Sequence, residues 1–448
     1  MSSEVRNSHR PLSARFGDSE TSVALNFLAL LLSAAVTALA AATEYFSPVE
    51  LFLVLCGSLL ATTVALETLV HYPTCALSRL NVRRVLSWHR VACREVALLV
   101  TLGSIAFVYW LFPRFFDEGM LNHYLPFLKI FVPVIVAGSL PYFALMDVVD
   151  DEEEDVTCRI GRAILTLRPT VTRFELANYV RSWIVKAFWL SLMQPAMVEK
   201  IKVFLCYNWN HLSGSPIQVY AMANTVCYAI DLCYASCGYA LNFKLVNTHT
   251  RTAEPTFAGW VAGIGCYWPF WAILVWPYFL KYDMTSELVS IFPPGSAAWW
   301  VWAAAIVACE LVYALSTVSA GIRFSNLTYR GLWNTGPYRW TKHPAYVFKN
   351  LSWWLMSTPF LINSGSDAVR CTFLLVLVNL VYFWRARTEE RHLSHYPEYV
   401  AYALRMNERS IFRWVAKLLP FLAYRPPREG DLLFKTISDT SCTTKENK

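Results

Sequence analysis

The sequence predicts an all-α, polytopic transmembrane helix bundle of about ten spans, and three observations predict it. Of the 448 residues, 56% are hydrophobic and only 16% are charged, with a mean hydropathy of +0.36. A soluble domain carries about 25% charged residues, so this chain lacks the polar surface to cover a water-facing globule. Apolar runs at 23–42, 51–66, 96–112 and 373–384 contain almost no ionised side chain. This composition disfavours disorder, nucleic-acid binding as the main role, and a secreted disulfide scaffold.

The spans are expected at 23–42, 50–70, 95–112, 126–146, 182–198, 217–240, 257–280, 297–319, 345–362 and 368–385. Each is near the roughly 20 apolar residues that a crossing needs. The fifth is the most polar, holding Lys186, Gln194 and Pro195. Charge sets the orientation. With a cytoplasmic N-terminus, the connections 71–94 and 147–181 each carry five arginines, and the tail after Trp384 carries twelve Lys and Arg. The opposite connections carry only Arg114, Lys200, Lys202 and Lys281. That asymmetry follows the positive-inside rule and predicts both termini in the cytoplasm, without saying which membrane. Residues 1–20 are polar and show no cleavable signal, so 23–42 is expected to be retained.

Polarity divides the chain into an N-terminal four-helix region (1–146), a mixed region (147–296), a C-terminal core (297–415) and a cytoplasmic tail (416–448). The mixed region opens with Asp147, Asp150, Asp151, Glu152, Glu153, Glu154 and Asp155. Such a run could hold magnesium for a diphosphate substrate, but no second run accompanies it, and a solvated acidic loop is expected. After it, 159–180 mixes basic and apolar residues as one amphipathic helix along the interface would. Glu67, Lys186, Asp231 and Glu310 lie at membrane depth, where ionisable groups are functional suspects or interhelical hydrogen-bond partners. Arg251 and Glu254 either line a substrate pocket or close a loop with an ion pair. Cys227, Cys233 and Cys237 are expected to pack as small residues. No metal site is expected: Glu389, His392 and His395 have suggestive spacing, but no second cluster completes a site.

The densest chemistry lies in 331–406. Pro344 suits the first turn of a helix and biases His343 towards an extended conformation. A helix from there to residue 362 is about 28 Å long at about 1.5 Å per residue, enough to cross. Residues 363–367 form a turn signal, and 368–385 crosses back. This hairpin returns Arg385, Arg387, Glu389 and Glu390 to the level of Tyr338, Lys342, His343 and Tyr346. S-adenosylmethionine matches that set. The helix start at Pro344 offers N–H groups to an anion, and Arg387 can pair with a carboxylate. Glu389 or Glu390 can accept from the ammonium or ribose. Tyr338, Trp340 and Tyr346 can stack on adenine or face the sulfonium. The competing interpretation is an i,i+3 ion pair of Arg387 with Glu390 among interfacial anchors.

Three elements in order around this hairpin resemble the C-terminal core of the isoprenylcysteine carboxyl methyltransferase family. They are Lys342-His343-Pro344-Ala345-Tyr346, Arg385-Ala386-Arg387-Thr388-Glu389-Glu390, and Glu398-Tyr399-Val400-Ala401-Tyr402. The resemblance covers a quarter of the chain at most. It implies that His343, Pro344, Tyr346, Arg387, Glu389 and Glu390 bind the cofactor. Two departures stand out. Lys342 replaces the usual arginine and loses its fork geometry, and Phe348 stands where the family often has glycine. The wider fold group includes phospholipid methyltransferases and sterol reductases that bind NADPH. The expected function is therefore an integral-membrane, S-adenosylmethionine-dependent methyltransferase acting on an amphiphilic small-molecule or lipidated acceptor from the bilayer. The alternatives are an NADPH-dependent reductase of a lipid double bond, and a transporter or scaffold with a degenerate cofactor site.

Overall fold

A computed structural model describes residues 19, 21–71, 84–112, 118–150, 152–210, 215–267, 270, 291–363 and 365–427. Asp151, half of the seventh expected span (268–269 and 271–280) and the tail from 428 lie outside the described residues. Four long helices come first: α1 (Val23–Ala41), α2 (Pro48–His71), α3 (Trp88–Leu111) and α4 (Glu118–Val149). Next come α5 (Val156–Thr166), α6 (Arg173–Cys206), α7 (Pro216–Ala240), the two-residue strand β1 (Thr252–Ala253) and α8 (Phe257–Ile264). The C-terminal part contains α9 (Ala297–Ala320), β2 (Thr328–Tyr329), α10 (Pro344–Asn363), α11 (Ser366–Leu393), α12 (Pro397–Arg409) and α13 (Arg413–Leu418). Among the described residues, β1 and β2 are the only strands. They pair antiparallel, with Thr252 opposite Tyr329.

This is an all-α polytopic bundle. Among the described residues, six helices are long and apolar enough to cross a membrane: Val23–Ala41, Pro48–Glu67, Trp88–Leu111, Tyr124–Val149, Ala297–Arg323 and Ala368–Leu393. The fifth, sixth and ninth expected spans fall within α6, α7 and α10, whose 34, 25 and 20 residues also reach bilayer thickness. These three are more polar, carrying Lys186, Asp231 and Lys349 respectively. Outward-facing Leu39, Val134 and Val369 are exposed, as lipid-facing side chains are. Pro126, Pro133 and Pro141 lie inside α4, a tolerance typical of helices in lipid. α9 is central, packing against α1, α7 and α10.

Two expectations for the mixed region are corrected. Residues 159–180 form parts of two helices, α5 and α6, instead of one. Leu167 adopts a left-handed conformation (φ 54°), and Pro169 disfavours the helical region for Arg168 before it. Thr172 and Glu175 then start α6 with a reciprocal capping box. α5 also docks onto α3, where Gly161 comes so close that a Cβ would sit 1.7 Å from the Cys93 carbonyl oxygen. Gly161→Ala is expected to cost about 1–3 kcal/mol by overpacking. An unchanged Tm in detergent would contradict that close approach.

The acidic run, for its part, is largely paired, with Asp147 and Asp150 buried and only Glu152 and Glu153 left exposed among its described residues. Asp147 is fully buried and accepts from Arg90 Nε (2.7 Å), Arg94 Nη1 (2.9 Å) and the Ser87 amide (2.8 Å). Asp150 pairs with Lys244 at 2.7 Å, Glu154 with Arg162, and Asp155 with Arg94 at 2.9 Å. Asp155 also caps α5 by accepting from the Cys158 amide. The physical reason is burial: carboxylates pressed between helices need counter-charges, which α3 and the segment after α7 supply.

Three of the four ionisable groups at depth are also partnered. Glu67 forms a two-pronged pair with Arg323, at 2.7 and 3.1 Å. Asp231 accepts from Tyr313 at 2.6 Å and from Thr317 at 2.5 Å. Lys186 lies over the Trp183 ring, whereas Glu310 is buried near Tyr228 with neither carboxyl oxygen hydrogen-bonded among the described residues. Cys227, Cys233 and Cys237 are buried in the bundle, as packing residues would be.

Candidate functional site

The hairpin of α10 and α11 positions the site. Pro344 opens α10 and α11 runs 28 residues, so it continues past the expected end of the span and carries the charged motif on its last turns. Arg385, Thr388, Glu389 and His392 follow i, i+3, i+4, i+7 spacing, which puts them on one helical face. All four line one cavity. Tyr338, Lys342, His343 and Tyr346 line it from the segment before α10 and its first turn, Ser325–Tyr329 and Gly331–Trp333 from the extended segment after α9, and Tyr399 and Tyr402 from α12. Glu254, which follows β1, closes another part of the wall.

Of the residues singled out from the sequence, Tyr338, His343, Tyr346 and Glu389 therefore meet at one cavity. Pro344 starts the helix beside them. Arg387 and Glu390 are not on the cavity wall. Glu390 is 4% exposed and joins three basic groups: Lys342 Nζ at 2.7 Å, His343 Nε2 at 3.3 Å and Arg387 Nη1 at 2.6 Å. Arg387 also reaches the Ala423 carbonyl at 3.4 Å. Glu390 thus pins the segment before α10 to α11. The His343 ring then stacks on Tyr346, with centroids 5.4 Å apart and planes 9° off parallel. The Tyr346 hydroxyl donates to Glu389 at 2.6 Å.

Arg385 is the guanidinium on the wall. It donates to Asn326 Oδ1 and lies 5.0 Å from the centre of the Tyr346 ring. Burial holds the Lys342 ammonium below its usual range, against the pull of Glu390. It also pushes the phenols of Tyr338, Tyr399 and Tyr402 above theirs, so these hydroxyls stay protonated donors. The Tyr402 hydroxyl is used on the Tyr338 carbonyl at 2.8 Å. The Thr328 and Tyr399 hydroxyls are buried on the wall without a hydrogen-bond partner, which suits a polar ligand.

Sequence reasoning missed part of this wall. The segment 325–330 precedes the motif-rich region and was given no role at the cavity; the pairing of β2 with β1 brings it in. Arg385 was legible in the helical spacing of the motif. Tyr399 and Tyr402 belong to the third quoted element but were given no role.

A polytopic all-α bundle with a cavity at the end of a helix hairpin, lined by charged and aromatic side chains, defines the class: a multi-pass helical membrane protein. The model of the isoprenylcysteine carboxyl methyltransferase (ICMT) family matches residues 302–395, from α9 through α11. The match covers about a fifth of the chain and supports a membrane methyltransferase. No curated protein and no solved structure matches the chain.

Proposed function

We propose that the protein is an integral-membrane methyltransferase that uses S-adenosylmethionine and modifies an amphiphilic, isoprenyl- or lipid-like acceptor. One observation carries this reading: residues of the two quoted elements before α10 and at the end of α11 line one cavity, in the segment that the family model spans. The donor set fits the group. Arg385 offers a guanidinium to a carboxylate, Glu389 an acceptor to an ammonium or ribose, and Tyr338 and Tyr346 offer ring faces. Arg387, Glu390 and Pro344 support these from behind. When bound, the cofactor supplies an electrophilic methyl group. The chain's own residues bind it, orient it against the acceptor and exclude water. On the charge asymmetry of the connections, we place both termini and the cavity mouth on the cytoplasmic side.

Lys342 is committed to Glu390, and Lys349 lies over the Tyr313 and Trp353 rings, so no observation favours the phosphate contacts of an NADPH-dependent reductase. Calorimetry of the purified chain with S-adenosylhomocysteine and with NADPH tests the reading. Binding of the first is expected, and His343→Ala is expected to weaken it at least about tenfold, or about 1.4 kcal/mol. Binding of neither compound would remove the enzymatic reading. Unchanged affinity in a folded His343→Ala protein would reduce this hairpin end to an interfacial anchor.

A further inference from the structure

We propose that Glu254 takes the proton of the acceptor, and that the acceptor group is an amine or a hydroxyl, not a carboxylate. The proposal rests on the methyltransferase reading above and adds the substrate class. Glu254 lies outside the matched segment 302–395, yet it lines the same cavity as His343 and Tyr346 and is only 1% exposed.

Its carboxylate is held in a built setting. The Thr256 amide donates to Oε1 at 2.9 Å, as does the Thr256 hydroxyl. Thr256 in turn caps α8 by accepting from the Gly259 amide. Gly259 stands where a Cβ would lie 2.4 Å from the Glu254 Cδ, so the helix admits the carboxylate only because that side chain is missing. The nearest cationic or imidazole groups stand off: Arg391 Nη2 is 4.0 Å from Oε1, and His392 Nδ1 is 3.7 Å from Oε2. Beyond His392 runs a line of exchangeable protons, with Nε2 2.9 Å from Thr252 Oγ1 and that oxygen 2.6 Å from the Tyr396 hydroxyl. Burial pushes the Glu254 carboxyl above its ordinary range, which strengthens it as a base.

The chemistry follows from charge. A carboxylate acceptor loses no proton on methylation and would leave the base Glu254 with nothing to take up. An amine or hydroxyl does lose one. Its lone pair forms the new bond to the methyl carbon as the carbon–sulfur bond of a sulfonium donor breaks. The sulfur leaves as a neutral thioether, and the acceptor's N–H or O–H proton passes to Glu254.

The test uses the full chain in vesicles of phosphatidylethanolamine, a long-chain alcohol and a long-chain fatty acid, with S-adenosylmethionine labelled in its methyl group. Label stable to base, in amine or alcohol lipid, is expected. Label released by base as a methyl ester would overturn the proposal while leaving the methyltransferase reading intact. Glu254→Gln is expected to lower transfer at least tenfold and to weaken calorimetric binding of a long-chain alkylamine at least tenfold, with S-adenosylhomocysteine affinity unchanged. Equal transfer and amine binding in the two proteins would overturn it. Absence of both donor binding and transfer would count against the methyltransferase reading itself.

Discussion

Glu390→Ala is expected to destabilise the protein by about 3–5 kcal/mol, the cost of breaking a buried ion pair from one side. The carboxylate is the shared partner of Lys342, His343 and Arg387, and the Lys342 side chain is only 11% exposed. The Arg387 side chain is 35% exposed, so solvent screens its share, and Arg387→Ala is expected to cost much less. Denaturation in detergent measures both. The pair Lys342→Met with Glu390→Leu separates structure from binding. It replaces a buried ion pair by apolar groups of similar volume and is expected to recover much of the stability. It is not expected to recover donor affinity, because the His343 ring loses its anchor. Recovery of both would show that the hub serves folding alone.

Asp147→Ala is expected to have an effect of similar size in the N-terminal part of the chain. Asp147 is completely buried and accepts from both Arg90 and Arg94, and the Arg94 side chain is only 1% exposed. Losing the carboxylate leaves a buried guanidinium with Asp155 as its remaining carboxylate partner, again about 3–5 kcal/mol. Asp155→Ala removes a helix cap and a more exposed ion-pair partner, and about 1 kcal/mol is expected. A smaller loss of stability for Asp147→Ala than for Asp155→Ala in the same denaturation series would contradict this ranking.

Much of the fold was legible because lipid makes strong demands on sequence. Length and apolarity alone mark α1 to α4, α9 and α11. The hairpin at α10 and α11 was legible from Pro344 and the turn at 363–367. Its charged end carried recognisable chemistry. What stayed hidden depended on distant partners. The acidic run reads as a loop until Arg90, Arg94 and Lys244, far away in sequence, fold against it. Glu254 reads equally well as pocket or loop until α8 and α11 close around it. The break between α5 and α6 was available in Arg168-Pro169, but the surrounding amphipathic pattern outweighed it. Arg385 was set apart from Arg387 only by which face of α11 each one occupies.

The contacts of α9 with the start of the chain bear on how the molecule comes apart. Asn26 donates to the Val318 carbonyl at 2.8 Å, the Tyr234 hydroxyl donates to the Asn26 carbonyl at 2.5 Å, and Glu67 holds Arg323 just beyond the end of α9. The first helices therefore seal the far side of the helix from which the matched segment grows. Heat or denaturant should meet a single cooperative unit, with the hairpin and its cavity losing order in the same transition that releases α1 and α2.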